Sequence, residues 1–260
     1  MPQFEGTALI IGAGGGIGRS VAEKLIEEGC TRIALADLNK ETLNDTYSLL
    51  KGKCSGEVNL MQIEVDIRKE EDIDAMMKVV VESFESIHYC ANCAAIPPQP
   101  ASSTDMHVQD FLNLIETNQR GTWLLMRSEI RQILKQERHP FGPRSTRASI
   151  VNVASIDGLA SEPKLASFAA VNHGIVGMTR STASDYIDSG IRFNIVCPSA
   201  TETPFLSKES RKALTCCLPD GLVNDPAEVA NAVAFLLSSR SSAINGVSLP
   251  VDRGWSLYHH

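Results

Sequence analysis

Seven residues, Gly12-Ala13-Gly14-Gly15-Gly16-Ile17-Gly18, stand directly between the apolar stretch Thr7 to Ile11 and a segment of helical period, Gly16 to Glu28. This junction constrains the fold more than any other feature of the chain. The apolar stretch reads as a strand and the following segment as a helix, so the glycines make the tight turn that opens the helix of a βα unit. In that position glycine lets the backbone approach a pyrophosphate, and the helix N-terminus stabilises its charge. The spacing is G-x-x-x-G-x-G through Gly12, Gly16 and Gly18, with Gly14, Gly15 and Ile17 completing the loop. The alternative G-x-G-x-x-G cannot be threaded, because its last glycine would fall on Ile17 or Arg19.

The alternation begun there persists along the chain. Strands are predicted at Arg32 to Asp37, Asn59 to Glu64, His88 to Asn92, Ser149 to Ala154, Arg192 to Cys197 and Val247 to Val251. Helices are predicted at Asn39 to Leu50, Glu70 to Phe84, Phe111 to Leu134, Leu165 to Ile187 and Asp225 to Leu237. Asp225-Pro226-Ala227-Glu228 gives the last helix an N-cap, a proline at its first position and a capping-box acid. This pattern predicts one α/β domain over residues 1–260, a doubly wound, Rossmann-like parallel sheet of about seven strands with helices on both faces. Two stretches read as irregular: the polar loop Lys135 to Arg147, and Ser199 to Asp225, a long connection after a strand, where lids occur.

At 260 residues, with 43% hydrophobic and 21% charged residues, the chain can build a large core unaided. A net charge of -7 without a block of Lys or Arg argues against nucleic acid as a partner. The seven cysteines are odd in number and lack paired metal-ligand spacing, so reduced thiols and no metal are expected, and Cys90-x-x-Cys93 reads as small residues at a strand end. No apolar run is long enough for a membrane span and the start does not read as a signal peptide, so a cytoplasmic protein is expected. His259 and His260 read as the stub of a tag and are left out of the functional argument.

Asp37 ends the second strand nineteen positions after Gly18, where a carboxylate accepts hydrogen bonds from adenosine ribose hydroxyls. An ordinary helix cap is its other reading. The ribose reading favours NAD(H), since a 2'-phosphate would meet like charge there; Arg19 could compensate in part, which leaves NADP(H) open. Leu38 follows Asp37 at the same edge.

Further along, Val65-Asp66-Ile67, Asn92-Cys93-Ala94-Ala95, Thr117-Asn118-Gln119-Arg120-Gly121, Ile150 to Ser155, Arg192 to Pro198 with Thr203-Pro204, and Asn245-Gly246 with Val251-Asp252 follow in order. With the glycine loop, these motifs resemble the short-chain dehydrogenase/reductase family over essentially the whole length. The resemblance implies that Asp66 and Ile67 contact adenine, that Asn92 and Ala94 belong to the coenzyme site, and that Asn118 is the asparagine of the active-site helix. It further implies that Ser155 polarises a substrate carbonyl, that Pro198, Thr201 and Thr203 hold the nicotinamide, and that the chain forms a homodimer or homotetramer.

The resemblance fails at its centre. Thirteen residues past Ser155 the family has Tyr-x-x-x-Lys, whereas this chain reads Phe168-Ala169-Ala170-Val171-Asn172. A Tyr-x-x-x-Lys string at Tyr47 to Lys51 falls on the helix after the second strand, far from the nicotinamide end. Phe168 has no proton to give and Asn172 no charge to lower a neighbour's pKa, and loss of general acid/base catalysis costs about 10²- to 10⁴-fold.

Hydride transfer to an iminium carbon quenches a positive charge and needs no acid; it needs an anion and a dry, shaped pocket. Asp157, just past a strand end, is the candidate anion, with a surface turn acid as its other reading. Arg127 and Arg131 on the helix of Asn118 could orient it, or else face solvent. Phe168 and Trp255, in the unusual ending Pro250-Val251-Asp252-Arg253-Gly254-Trp255, are expected to wall the substrate pocket. This ending and the missing pair are similar to short-chain-dehydrogenase-like enzymes of fungal prenylated indole alkaloid pathways, of the malbrancheamide and paraherquamide type. That likeness implies reduction of an iminium or azadiene precursor, an intramolecular Diels–Alder closure and a bulky small-molecule substrate. Three readings stand: a reductase of C=N substrates, a non-catalytic dinucleotide-binding regulator or assembly partner, and an atypical carbonyl reductase with a relocated acid such as Lys164 or His173.

Overall fold

The computed structural model describes residues 3–53, 56–139, 145–206, 218 and 220–257. Cys54, Cys216, Cys217, His259, His260 and parts of both irregular stretches lie outside them. Seven strands run β1 (Thr7–Ile11), β2 (Arg32–Asp37), β3 (Asn59–Glu64), β4 (Tyr89–Asn92), β5 (Ala148–Val153), β6 (Ile191–Pro198) and β7 (Ser248–Val251). They form one sheet in the order β3-β2-β1-β4-β5-β6-β7. Every pairing is parallel. The helices are α1 (Gly16–Glu27), α2 (Lys40–Lys53), α3 (Glu70–Phe84), α4 (Val108–Leu114), α5 (Gly121–Ile133), α6 (Ala166–Asp185) and α7 (Pro226–Leu237).

The strand composition follows from this layering. All five residues of β1 are buried. Leu9 and Ile11 join the core under α3 and α5, while Ala8 and Ile10 join the core under α1 and α7. With both faces covered, alternate side chains enter opposite cores, and an unbroken apolar run is what a central parallel strand requires. At α7 the capping box forms as read: Ala227 N donates to Asp225 Oδ1 and Asp225 N to Glu228 Oε2, both at 2.8 Å. The other end of α7 meets buried Arg192, which donates to the carbonyls of Leu237 and Ser238. Its charge thereby sits at the negative end of the helix dipole.

One helix departs from the expected form. The helix predicted from Phe111 to Leu134 starts at Val108 and is interrupted by a π turn over Ile115–Arg120. Asn118 in that turn donates to Ile96 O at 3.0 Å and accepts from Ile96 N at 2.8 Å. Thr122 Oγ1 donates to the Asn118 carbonyl at 2.6 Å, satisfying a group in the widened turn. A π turn inside an α-helix commonly marks a functional site. The described helices include none long and apolar enough to cross a membrane.

Beneath the site lies a buried polar layer. Asn92 Nδ2 donates to Asn152 Oδ1 at 2.9 Å and to Glu129 Oε2 at 3.2 Å. Glu129 is fully buried on α5, against Asn92 and the Cys90 thiol. Burial pushes its carboxyl up to about 7, with the Asn92 and Cys90 bonds pulling the other way. In the unfolded chain this group titrates near 4.5, so across that interval the folded state binds the proton more tightly and stability falls as pH rises. The interval corresponds to about 3 kcal/mol at 1.36 kcal/mol per pH unit. Glu129→Gln is therefore expected to flatten the decline in urea midpoint between about pH 5 and pH 7 and to leave the variant more stable than wild type above it. Parallel profiles for the two proteins would contradict this reading.

Candidate active site

The C-terminal ends of the central strands open into one cleft of about 940 Å³, toward the upper end of the volumes small-molecule sites occupy. Its first half is built from the glycine loop and the ends of β2 and β3. Gly12, Gly14, Gly15, Gly16, Ile17 and Gly18 line it, followed by Asp37 and Leu38 and then by Asp66 and Ile67. Gly12 has φ +83°, and a Cβ there would lie 2.5 Å from Ala94 N. No other residue fits that turn. At Gly16 a Cβ would lie 2.7 Å from Thr203 Cγ2, so the segment after β6 closes directly on α1.

This half fits a dinucleotide. The N-terminus of α1 has no side-chain cap, which leaves its first-turn amides and positive dipole end to the cleft. Asp37 Oδ2 accepts from Gly14 N at 2.8 Å and Oδ1 from Asn39 N at 2.9 Å. Each carboxylate oxygen keeps a further acceptor site for a ribose hydroxyl. The cap of α2 is Asn39, whose Oδ1 accepts from Glu41 N and Thr42 N, so Asp37 is not the helix cap; its carboxylate braces the glycine loop and lines the cleft. Arg19 is directed to Thr46 Oγ1, at 2.9 Å, and does not line the cleft. Asp66 is gripped by Arg68 through Nε at 2.9 Å and a second guanidinium nitrogen at 2.7 Å. That bond, first among the causes, holds its carboxyl below the usual range.

The other half gathers Ala94, Asn118, Ser155, Asp157 and Phe168 with Pro198, Thr201 and Thr203. Apolar Ile96, Pro97, Pro98, Ile156, Phe205 and Leu206 complete its walls. Ser155 caps the short 3-10 turn Ile156–Gly158 by accepting from Asp157 N at 3.2 Å, and its hydroxyl donates back to Asp157 Oδ2 at 3.1 Å. Asp157 is 5% exposed, and its Oδ1 has no hydrogen-bond partner. Burial raises its carboxyl above the usual range, and the Ser155 hydroxyl only partly offsets this. On α6, Phe168 and Asn172 both line the cleft, and Asn172 Nδ2 donates back to Phe168 O at 2.8 Å. Neither phenol nor ammonium is presented where the resemblance implied them.

Four residues expected at the site lie elsewhere. Arg127 pairs with Glu70 on α3 and stacks on Trp123, its guanidinium carbon 4.7 Å from the ring centre; Arg131 reaches the same Glu70 at 3.6 Å. Both face α3 because α5 packs there, so neither orients Asp157. Trp255 is buried in a cluster with Ile156 and Leu218 and does not line the cleft. It backs the wall that Ile156 presents. Asn92 is turned into the polar layer under the sheet. Of the proposed relocated acids, Lys164 lines the cleft, whereas His173 is exposed and hydrogen-bonds Ala169 O through Nδ1 at 2.9 Å.

Sequence reasoning missed Glu162 and Asn224. Glu162 lines the cleft beside Asp157, but a polar residue before a proline gives no sign of facing inward. Asn224 donates from Nδ2 to Val251 O at 2.6 Å and to Ser199 Oγ at 3.3 Å, and its backbone bridges Thr201. It ties the two ends of the connection after β6 together. Nothing in the local pattern distinguishes it from a turn asparagine.

The family described as enoyl-(acyl carrier protein) reductase matches residues 12–256. A curated relative, the short-chain dehydrogenase fogB of Aspergillus ruber, is 32% identical, with 98% of each chain covered. Among solved structures, levodione reductase superposes with a TM-score of 0.89 at 27% identity, covering 98% of both chains. The 3-ketoacyl-(acyl-carrier-protein) reductase of Brucella melitensis, solved in complex with NADH, gives a TM-score of 0.85 at 29% identity, covering 96% of this chain and 98% of its own. With its sheet order, glycine loop and cleft already placing it there, the chain belongs to the short-chain dehydrogenase/reductase family of oxidoreductases.

Proposed function

We propose that this protein is an NAD(P)H-dependent reductase of C=N substrates, taking a bulky apolar molecule with an iminium carbon, and that NAD(H) is its preferred coenzyme. The observation carrying this reading is Asp157, a buried carboxyl in the cleft that has, among the described residues, one hydroxyl partner, no cation partner and an unpartnered second oxygen. A carboxylate left so is costly unless a positive group pairs with it. The bound coenzyme supplies a hydride. Asp157 would hold the cationic nitrogen, Ser155 would fix Asp157, and Phe168 and the proline-rich wall would exclude water. Asn118, spent on Ile96, would act by holding that wall and the π turn in place. The same apolar walls would fold a reduced polycyclic product for intramolecular Diels–Alder closure, as alkaloid assembly requires. The working unit is taken as a cytoplasmic homodimer or homotetramer, and Trp123 on α5, 44% exposed, supports a further contact there.

A specific observation favours one alternative. A protonated Asp157 would donate to Ser155 Oγ, whose own hydrogen would then reach a carbonyl oxygen, making the pair a relay for an atypical carbonyl reductase. The pH dependence separates the two. Ion pairing needs the carboxylate, so turnover of a permanently charged iminium rises as pH passes upward through the raised Asp157 value. A relay needs the acid, so ketone turnover falls over the same range. A purely dinucleotide-binding role would leave both substrates untouched.

Steady-state coenzyme oxidation with a cyclic N-alkyl iminium salt is expected to exceed that with cyclohexanone by about 10²-fold or more in kcat/KM. Asp157→Asn is expected to cost the iminium reaction about 10²-fold, the scale on which a preorganised charge acts in a dry site. Comparable ketone and iminium rates in the wild type would remove the proposal. For the coenzyme, Asp37→Asn keeps an acceptor but loses the charge, and should shift the NADH to NADPH preference toward NADPH by about tenfold, or about 1.4 kcal/mol. A wild type that already prefers NADPH would contradict the assignment.

A further inference from the structure

Glu162 shares the substrate end of the cleft with Asp157, on the connection between β5 and α6. Its side chain is half-buried and makes no hydrogen bond or ion pair among the described residues. Asp157 has only the Ser155 hydroxyl and the weak support of nearby amides. Among the described residues, the surrounding elements supply no cation paired with either carboxyl. Asn113, Thr117 and Asn118 from the α4–α5 helix are not ionisable, and Ile96, Pro97, Pro98 and Pro100 are apolar. Asn172 on α6 is neutral and bonded to its own helix. Lys164 is exposed at the rim without an ion pair, and exposed His173 exerts only a small long-range pull on Asp157.

We propose that Asp157 and Glu162 hold one proton between them in the resting pocket and give it to the nitrogen of a neutral imine, so that the site takes unprotonated C=N substrates as well as ready-made iminium cations. Two carboxylates in one partly buried cleft ionise together only at extra cost, and the proton belongs to the pair. Burial pushes both carboxyls upward, and Glu162 is raised further by the charge of Asp157. In the step, the carboxylic O–H bond breaks and an N–H bond forms on the imine lone pair. The pocket carries a single net negative charge before, as one carboxylate with a neutral imine, and after, as two carboxylates around a cation. No net charge has to enter the apolar cleft. The hydride that the coenzyme supplies then has an iminium carbon to add to, and the pair regains its proton from water once the amine leaves.

This inference rests on the C=N reading, and its test separates the two. The coenzyme-free protein is mixed with 2-phenyl-1-pyrroline carrying ¹³C at the imine carbon, well above the pH at which the free imine loses its proton. The ¹³C shift of the bound ligand is expected to be that of the iminium in wild type, and that of the neutral imine in Glu162→Gln. Glu162→Asp, which keeps the acid, is expected to restore the iminium shift and guards against a misfolded variant. In turnover, Glu162→Gln should lower kcat/KM for the neutral imine about 10²-fold, and by at least about tenfold more than for the N-methyl iminium salt, which brings its own charge. A neutral bound imine in wild type, or an iminium shift that survives Glu162→Gln, overturns the proton-sharing pair. Failure of the N-methyl salt to react at all overturns the C=N reading instead, whatever the ¹³C shift shows.

Discussion

A carboxyl group buried, among the described residues, without a cation partner is the constraint on which the proposed chemistry of this cleft depends. Asp157 is held by its place in the turn after β5, where Ser155 both caps the turn and bonds the carboxyl. Burial raises the cost of its ionisation, and among the described residues only exposed His173 offers a small positive charge against it. Such a group is either protonated or waiting for a cation. Both states are useful to an enzyme that delivers hydride, and on the proposed reading the one that prevails would decide between a charged nitrogen and a carbonyl as the electrophile.

The fold brings this about by an ordinary route. An all-parallel sheet has its helices on both faces, so the only place left for a ligand is the edge where strands end and helices begin. Here the order β3-β2-β1-β4-β5-β6-β7 sets the crossover between β1 and β4 beside the glycine loop. The turn after β5 then faces the segment after β6, and α6 supplies the side wall. Wherever this scaffold places a tyrosine and lysine on that wall, the protein brings its own acid. Phe168 and Asn172 take those positions here, and in the proposed reaction the burden of charge passes to the turn carrying Asp157 and Glu162.

The strands and most helices were legible because their signals are local: unbroken apolar runs for buried strands, and the Asp225 to Glu228 box for the start of α7. The coenzyme half was legible for a similar reason, since a glycine such as Gly12 is demanded by one backbone angle and one close contact. The π turn was not, because a single widened turn leaves the apolar period of its helix almost unchanged and is fixed by the distant Ile96 backbone. Arg127 and Trp255 were misplaced because sequence position told which element they sit on but not which neighbour that element faces. Glu70 on α3 claims the one, and Ile156 the other. Glu162 escaped notice for the converse reason, as a loop acid whose inward direction only the tertiary structure defines.

The central claim is that substrate charge, rather than a protein phenol, makes hydride transfer feasible in this site. Its most direct measurement rebuilds what α6 lacks, by comparing cyclohexanone reduction in wild type and in Phe168→Tyr/Asn172→Lys at equal coenzyme saturation. A rise of about 10²-fold or more in kcat/KM for the ketone is the result expected of a restored acid. A wild type that reduces the ketone as fast as a correctly folded, coenzyme-binding double variant would contradict the account.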